Sequence, residues 1–388
     1  MKKSLALVLA GTMAFGLTAC GGGKTSTPST TAAAAATEAA AVSEAATEAA
    51  KAEAADLNVG VFYYTYSDTY IASVRTALDK ALGDAGISYQ DYDGNSNQTT
   101  QNEQIDTAIS QGANLLIVNI VTSGSVDASS QIVEKAEAAG IPVIFFNRAV
   151  EDDKTEGDVL GSYDKCAFVG TDAPEAGHMQ GKMIGDYLVE NFDKVDLNGD
   201  GKISYAMMMG QLGNAEAIYR TQFAVEDANA VLKEAGKPEL EYFDPTNTDK
   251  YQVDQDGAWS ATAANNYMTT NLSQYNEGNG NMIELVICNN DDMAIGVIAA
   301  LNEVGYNLGD GGDEIIVIGV DCTDTAVEYI NAGKLYGTVK QDGDAMGKAN
   351  ILMAINGALG KDWLDGTDYT MADDGFSIRI PYAKITAE

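Results

Sequence analysis

The chain has 388 residues and a formal net charge of −34, from 57 acidic against 23 basic side chains. This excess of acid argues against binding nucleic acid, whose phosphates are neutralised by Lys and Arg, and against docking on anionic lipid. Beyond Cys20, the cysteines Cys166, Cys288 and Cys322 follow no metal-ligand spacing, and a disulfide framework is not expected.

The first twenty residues have the pattern of a secretory signal. Two lysines precede an apolar run that is too short to span a bilayer as a permanent helix. Leu-Thr-Ala-Cys at 17–20 resembles the lipobox of bacterial lipoproteins, which implies lipidation of the Cys20 sulfur. Residues 1–20 are therefore predicted to be a lipoprotein signal peptide, and acyl chains are expected to anchor the protein to the outer face of the bacterial cell membrane. A secretory signal with a chance cysteine is the alternative.

Residues 21–56 have the composition of a solvated spacer. They are almost entirely Ala, Thr, Ser, Gly and Glu with a few Lys, so they lack the large apolar side chains that offset the entropy of ordering a chain. We predict a disordered tether. The folded part begins near Leu57, and about 330 residues remain, enough for one large or two medium domains.

Apolar runs alternate with amphipathic segments through the rest of the chain. The strand-like runs after the first, at 58–64, are 115–120, 142–147, 203–209, 283–289 and 315–321. The helix-period segments include 72–82, 101–111, 126–139, 173–190 and 326–331. Strands that are apolar throughout and alternate with helices predict parallel sheets covered on both faces. There are too many units for one compact sheet, so two α/β domains are expected.

Polar side chains follow several predicted strands, where open α/β sheets bind ligands. They are Asp68, Asn119, Asn147, Asp172, Asn290 and Asp321. They are amides and carboxylates, and no glycine-rich phosphate loop follows a strand. These features predict a small, polar, uncharged ligand that is rich in hydroxyl groups.

Several motifs in one order carry a family resemblance that runs from about Leu57 to Tyr382. The most specific stretches are 60–70, 115–119, 142–147, 162–165, 169–172, 196–201, 284–291, 319–321 and 337–339. The chain resembles the periplasmic galactose/glucose-binding proteins of ABC sugar importers. The resemblance implies the type I periplasmic-binding-protein fold, in which two doubly wound parallel-sheet lobes are joined by a three-strand hinge and close on one sugar.

The resemblance also implies where the chain passes between the lobes, near Ile141, Gln341 and Arg379. The N-terminal lobe would then contain residues 57–141 and 342–378. The C-terminal lobe would contain residues 142–341 and 379–388.

The residues that match the family's sugar contacts share a polar or aromatic character. They are Asp68, Tyr70, Asn119, Asn214, Glu216, Arg220, Trp259, Asn290, Asp321 and Gln341. The guanidinium of Arg220 suits neighbouring sugar oxygens, while Tyr70 and Trp259 are expected to cover the two apolar faces of the ring. Asp68 also suits a helix N-cap.

Three of these positions depart from the family pattern. Asn214, Glu216 and Gln341 stand where histidine, aspartate and asparagine are usual. D-galactose or D-glucose is the first expectation, and another aldohexose or a pentose is the alternative.

A second motif opens like an EF-hand calcium loop. The expected calcium ligands are Asp196, Asn198, Asp200, the carbonyl of Lys202, Ser204 and, as the family resemblance implies, the distant Glu284. Met207 occupies loop position 12, where an EF-hand needs a bidentate glutamate. A plain Asn/Asp/Gly turn is the alternative to a structural Ca²⁺ site.

The expected function is therefore that of a monomeric, non-enzymatic lipoprotein that delivers a monosaccharide to an ABC permease in the membrane. Presentation to a chemoreceptor is a further option. A sugar-responsive transcription regulator would need a basic helix-turn-helix, and this chain begins with a lipobox and an acidic tether instead. A glycoside-processing enzyme could use Asp68, Glu216 and Asp321, but binding proteins surround sugars with the same groups.

Overall fold

The computed structural model describes residues 56–151, 157–309 and 311–387. The predicted signal peptide, Cys20 and all of the predicted tether except Asp56 lie outside these residues. Among the helices that are described, none is long and apolar enough to cross a bilayer.

Strands and helices alternate along the chain. The strands are β1 (Asn58–Tyr63), β2 (Ser88–Asp93), β3 (Leu115–Val118), β4 (Val143–Phe146), β5 (Cys166–Gly170), β6 (Ser204–Met209), β7 (Glu241–Tyr242), β8 (Gln252–Val253), β9 (Leu285–Cys288), β10 (Ile316–Asp321), β11 (Gly337–Lys340), β12 (Ser377–Arg379) and β13 (Ala383–Thr386). The α-helices are α1 (Thr69–Ala85), α2 (Gln98–Ser110), α3 (Val126–Ala139), α4 (Gly157–Leu160), α5 (Ala173–Val195), α6 (Ala215–Glu234), α7 (Ala261–Gln274), α8 (Asp291–Glu303), α9 (Asp324–Asn331) and α10 (Gly343–Ala358).

The first sheet has the strand order β12-β5-β4-β3-β1-β2, and every pair is parallel. Successive side chains of a strand point to opposite faces. Val61 therefore packs on the face that carries α1 and α10, whereas Phe62 packs on the face that carries α2 and α3. Both faces are covered, which explains why these strands are apolar throughout.

The second sheet has the order β13-β11-β10-β9-β6-β7, with β8 beside β6. Only β13 in this path runs antiparallel, against β11, among the described strands. Helices α5 and α6 cover one face, and α7, α8 and α9 cover the other. The predicted fold class, two doubly wound α/β lobes, is confirmed.

The first crossing between the lobes lies later in the chain than the sequence suggested. Strands β4 and β5 pair with β3 and with each other in the first sheet, so residues 142–170 belong to the N-terminal lobe and not to the C-terminal lobe. The chain crosses between Gly170 and Ala173, again between Lys340 and Gly343, and again between Arg379 and Ala383. An apolar strand carries no local signal of which sheet it will join, so this boundary depends on strand pairing.

Three glycines spaced four residues apart, Gly177, Gly181 and Gly185, line the side of α5 that faces α6. A Cβ on Gly181 would lie 2.7 Å from the Cβ of Asp227 and 2.7 Å from the carbonyl oxygen of Phe223. A Cβ on Gly185 would lie 2.6 Å from the Cβ of Val231. The two helices thus pack closely because these positions have no side chain.

We predict that Gly181→Ala lowers the free energy of unfolding by about 1–3 kcal/mol, because the added methyl group overpacks the contact between helices. Gly83→Ala is the matched control, since Gly83 is exposed on α1 with no heavy atom within 4 Å of the added Cβ. That change should be neutral or stabilise by up to about 1 kcal/mol. Urea unfolding measures both, and equal effects would contradict the packing role.

Candidate ligand-binding site

The strand order reverses between β1 and β3 in the first sheet and between β6 and β9 in the second. Open α/β sheets bind ligands outside the carboxyl ends of their strands at such points. A cavity of about 370 Å³, including its opening to solvent, lies between the two lobes there. It is lined by Tyr64, Asp68, Tyr70, Ile71, Asn147, Arg148, Asn214, Glu216, Arg220, Trp259, Asn290, Asp321 and Gln341. Nine of the ten predicted sugar contacts are in this set, and Asn119 is the exception.

Asp68 is both a helix cap and a cavity residue. Its Oδ1 accepts a hydrogen bond from the backbone N–H of Ile71 at 2.8 Å, which makes it the N-cap of α1. Its Oδ2 accepts from the hydroxyl of Tyr64 at 2.6 Å. The capping bond fixes the carboxylate at the cavity wall, so the two interpretations of this residue are compatible.

Asn119 is the predicted sugar contact that the structure does not place at the cavity surface. The side chain is fully buried, and its oxygen accepts from the backbone N–H of Tyr64 at 3.2 Å. Its amide donates to the carbonyl of Phe146 at 3.1 Å and to Oδ1 of Asn147 at 3.3 Å. Asn119 therefore holds the ends of β1 and β4 together behind the cavity wall, where both of its amide N–H groups are already bonded.

The sequence analysis missed Arg148 as a site residue. It follows Asn147, a polar residue at the end of β4 that the sequence pattern had marked, so the strand-end rule could have included it. Its guanidinium carbon lies 4.1 Å from the centre of the Tyr64 ring, a cation–π arrangement. Burial lowers the pKa of Arg148, and the nearby Tyr64 and Glu216 oppose that shift.

Arg220 is the most extensively bonded side chain of the cavity. Its Nη1 donates to the carbonyl of Asn289 at 2.9 Å, and its Nη2 donates to Gln341 Oε1 at 2.8 Å and to the Tyr382 hydroxyl at 3.2 Å. Asp321 lies 4.0 Å away. Burial works against the charge, yet Tyr382 and Asp321 hold the pKa of Arg220 above its ordinary value.

Asp321 sits in a strained turn that a second carboxylate supports. Asp321 has φ of 123° and Cys322 has φ of 64°, both in the left-handed region. The buried Asp291 accepts from the hydroxyl of Thr338 at 2.7 Å and from the N–H of Thr323 at 2.8 Å. These bonds span the turn and hold it in place. Burial raises the pKa of Asp321 well above its usual range, and Arg220 opposes that shift.

Trp259 is held at the cavity by its backbone. It has φ of 56°, and its carbonyl accepts from the side-chain amide of Asn290 at 3.2 Å. The indole lies directly over Gly210, where a Cβ would collide with the ring. Asn290 and Asn214 also cap α8 and α6 through their side-chain oxygens, which leaves the Asn214 amide and the second N–H of the Asn290 amide to donate to a ligand.

Two hydrogen bonds tie the lobes together beside the cavity. Arg148 Nη2 donates to Gln211 Oε1 at 2.7 Å, from the first lobe to the second. The hydroxyl of Thr69, the first residue of α1, donates to Asp292 Oδ2 at 2.7 Å in the first turn of α8. Because both bonds join one lobe to the other beside the cavity, the lobes are in a closed arrangement.

Unpaired donors define the chemistry of the cavity. In the part of the chain that the structure describes, Arg148 Nε, Arg220 Nε, Trp259 Nε1 and Gln341 Nε2 are buried without a hydrogen-bond partner. Buried polar groups are normally satisfied, so these donors call for acceptors that a ligand would supply. The cavity also presents three carboxylates, of Asp68, Glu216 and Asp321, which can only accept while ionised.

The predicted calcium loop lies at the start of β6, away from the cavity. Asp196 Oδ2 accepts from Gly201 N–H at 2.8 Å, and Asp200 Oδ1 accepts from Lys202 N–H at 2.9 Å. Glu284 Oε1 accepts from Leu197 N–H at 2.9 Å, which brings this distant carboxylate to the loop. Burial raises the pKa of Glu284 to about 7.

Not all the expected calcium ligands form a ready-made cage. Glu284 Oε2 accepts from the N–H of Ser204 at 3.0 Å, and within the described residues the Ser204 hydroxyl makes no side-chain hydrogen bond. No group of three acidic, histidine or cysteine side chains in the described ranges is placed to hold a metal ion. The types of oxygen ligand still fit Ca²⁺. Asp196 and Asn198 supply carboxylate and amide oxygens from the loop, and Glu284 brings a further carboxylate against it.

Two α/β lobes around a polar cavity, joined by three chain crossings, define a protein that encloses a small solute between hinged halves. A family model described as "Periplasmic binding protein domain" matches residues 59–362, and the chain belongs to this family.

Similar proteins bear out the predicted resemblance. A D-galactose/methyl-galactoside binding periplasmic protein of Haemophilus influenzae is 33% identical over 333 residues, which cover 86% of this chain and 90% of that protein. A ribose import binding protein of Bacillus subtilis is 23% identical over 293 residues, covering 76% of this chain and 79% of that protein. An ABC transporter solute binding protein from Bacillus halodurans, solved with bound myo-inositol, has a TM-score of 0.63 at 25% identity, covering 86% of this chain and 96% of that one.

We predict that Asn119→Leu lowers the stability of the free protein, because the N–H of Tyr64 loses its buried partner, whereas the carbonyl of Phe146 keeps its bond from the N–H of Arg148. The cost should be about 1–3 kcal/mol for the buried N–H left unpaired. Asn214→Ser is the control: serine keeps the N-cap of α6, so its change should stay within about 0.5 kcal/mol. Urea unfolding without ligand measures both. A stable Asn119→Leu protein would show that Asn119 has no structural role.

Proposed function

We propose that this protein is the sugar-binding component of an ABC importer and that it captures D-galactose or D-glucose by closure of its lobes. The four buried donors without partners, placed among three carboxylates in one cavity, carry this proposal. Every hydroxyl of a sugar can accept one hydrogen bond and donate another, so a pyranose can satisfy both kinds of group. Each hydrogen bond to a charged partner contributes about 1.5–3 kcal/mol.

The charge and shape of the cavity support an uncharged ring. Three carboxylates against two guanidinium groups leave the lining without the positive excess that a phosphate or carboxylate ligand needs. Tyr70 comes from the first lobe and Trp259 from the second, so the two could cover opposite faces of a ring when the lobes are closed.

The relatives support a sugar or polyol but differ among themselves in the one they bind. The galactose-binding relative has the highest identity of the three proteins compared above, which favours D-galactose or D-glucose. Asn214, Glu216 and Gln341 depart from the galactose/glucose pattern, so another aldohexose or a pentose is the alternative ligand.

The cellular setting follows from the N-terminal sequence. A chain lipidated at Cys20 would remain on the outer face of the cell membrane, act there as a monomer and present its closed, loaded form to a permease. A chemoreceptor is a second possible recipient of the same form.

A structural Ca²⁺ in the loop at Asp196 forms part of the proposal. Asp196, Asn198, Asp200 and the Lys202 carbonyl would supply ligands from the loop, and Glu284 would supply a bidentate carboxylate. The ion would balance three carboxylates that have no Lys or Arg side chain bonded to them among the described residues; Lys202 Nζ instead bonds to Glu241 at 2.9 Å.

The sugar assignment is tested by calorimetry with D-galactose, D-glucose, D-ribose, D-xylose, L-arabinose and myo-inositol. We expect binding of D-galactose or D-glucose, and Glu216→Gln should weaken it about tenfold to a hundredfold because the cavity loses a charged acceptor. Glu226→Gln, exposed on the same helix, is the control and should bind normally. The absence of heat with every monosaccharide would refute the proposal.

The calcium site is tested by thermal unfolding in EDTA and in excess CaCl₂. If free calcium exceeds its dissociation constant about a hundredfold, the melting temperature should rise by about 5–10 °C. Glu284→Gln should abolish this rise, and Glu241→Gln, which is exposed beside the loop, should keep it. Identical melting curves with chelator and with calcium would rule out the site.

A further inference from the structure

Side chains from all three chain crossings meet at one buried hydroxyl, that of Tyr382 in the third crossing. Its oxygen lies 2.9 Å from the hydroxyl of Thr171 in the first crossing. It also lies 3.4 Å from Oε1 of Gln341 in the second crossing and 3.2 Å from Nη2 of Arg220. Tyr382 is 5% exposed and is not one of the residues that line the described cavity.

The chemistry of the partners limits which of them can donate to the Tyr382 hydroxyl and which can accept from it. A guanidinium only donates, so the Tyr382 oxygen accepts from Arg220, and the phenolic proton remains for Thr171 or Gln341. Burial raises the pKa of Tyr382, although Arg220 opposes this, and the phenol keeps its proton. Removing the hydroxyl would therefore break the links from Tyr382 to Thr171, Gln341 and Arg220, while Arg220 keeps its own bond to Gln341.

Arg220 connects the Tyr382 hydroxyl to the cavity. Its Nε is buried without a partner, while Nη1 bonds to the end of β9 and Nη2 bonds to Gln341 and Tyr382. A ligand oxygen that bonds to Nε would fix a guanidinium whose other nitrogens already contact the second and third crossings.

The backbone links the crossings only in pairs. The first and third run side by side, because the N–H of Ile380 donates to the carbonyl of Gly170 at 2.7 Å. The second and third approach each other where Lys340 pairs with Ala383. The Tyr382 hydroxyl is a side-chain group that contacts both of the other crossings at one place.

We propose that Tyr382 is a positioning residue that couples ligand contact at Arg220 to the three crossings and so favours the closed lobes. The inference rests on the proposed function, because it describes how the same site closes. A ligand bound to Arg220 strengthens the closed arrangement through Tyr382, and loss of the hydroxyl shifts the lobes toward the open state.

The test compares Tyr382→Phe with Tyr336→Phe in the full folded protein. Tyr336 donates a similar hydroxyl to the carbonyl of Met183 at 3.3 Å within the second lobe, away from the crossings, so it is a matched control. Calorimetry with D-galactose and D-glucose should show about fivefold to tenfold weaker binding by Tyr382→Phe, mainly through faster dissociation in stopped-flow fluorescence. Tyr336→Phe should bind like the unaltered protein.

Substitutions of Thr171 provide a second test, and a general loss of stability would not produce the same pattern of affinities. Thr171→Val should weaken binding, and Thr171→Ser, which retains the hydroxyl, should restore it. The double variant with Tyr382→Phe should bind no more weakly than Tyr382→Phe alone, because both changes remove the same link. Unchanged affinity in Tyr382→Phe would overturn the coupling and leave the sugar assignment intact.

Small-angle scattering separates failure of the coupling from failure of the proposed function. If no monosaccharide binds the unaltered protein, the sugar assignment fails, and the coupling is then judged from the free protein alone. A larger radius of gyration in Tyr382→Phe than in Tyr336→Phe would support the coupling. Equal radii would overturn it.

Discussion

A buried guanidinium needs acceptors on several sides, and Arg220 imposes this requirement on the centre of the molecule. The carbonyl after β9, the amide of Gln341 and the hydroxyl of Tyr382 are all arranged around it, and Asp321 lies nearby. Leaving such a charge without partners would cost several kcal/mol. Segments that are far apart in sequence are therefore held together where the lobes join, and the same side chain still has one unpaired nitrogen for a ligand.

The cavity obtains its rigidity from side chains that also maintain the fold. Asp68, Asn214 and Asn290 each cap a helix, so their positions are set by the backbone of α1, α6 and α8. The N-termini of these helices meet at the cavity, and their partial positive charge favours carboxylates there. The strained turns at Trp259 and Asp321 are supported by Asn290 and Asp291 in the same way. A preorganised cavity of this kind loses little freedom when a ligand binds.

The sequence predicted most of the individual elements and less of their arrangement. Nine of ten site positions lie at the cavity because polar residues after apolar strands, together with several family motifs, are local features. Asn119 has the same local pattern, but its side chain is already bonded to its neighbours Tyr64 and Phe146. Arg148 was missed although it follows a marked strand end, since its stacking on Tyr64 depends on the pairing of β4 beside β3.

The sequence by itself determined the α/β class, the positions of the central strands and the polar residues that follow them, because periodicity and strand-end chemistry are properties of short segments. Only the tertiary structure decided that β4 and β5 belong to the first lobe, that Asn119 lies behind the wall, and that Thr171, Gln341 and Tyr382 meet at Arg220. Strand pairing and buried hydrogen bonds join residues up to hundreds of positions apart, and no short segment encodes which partner each will meet.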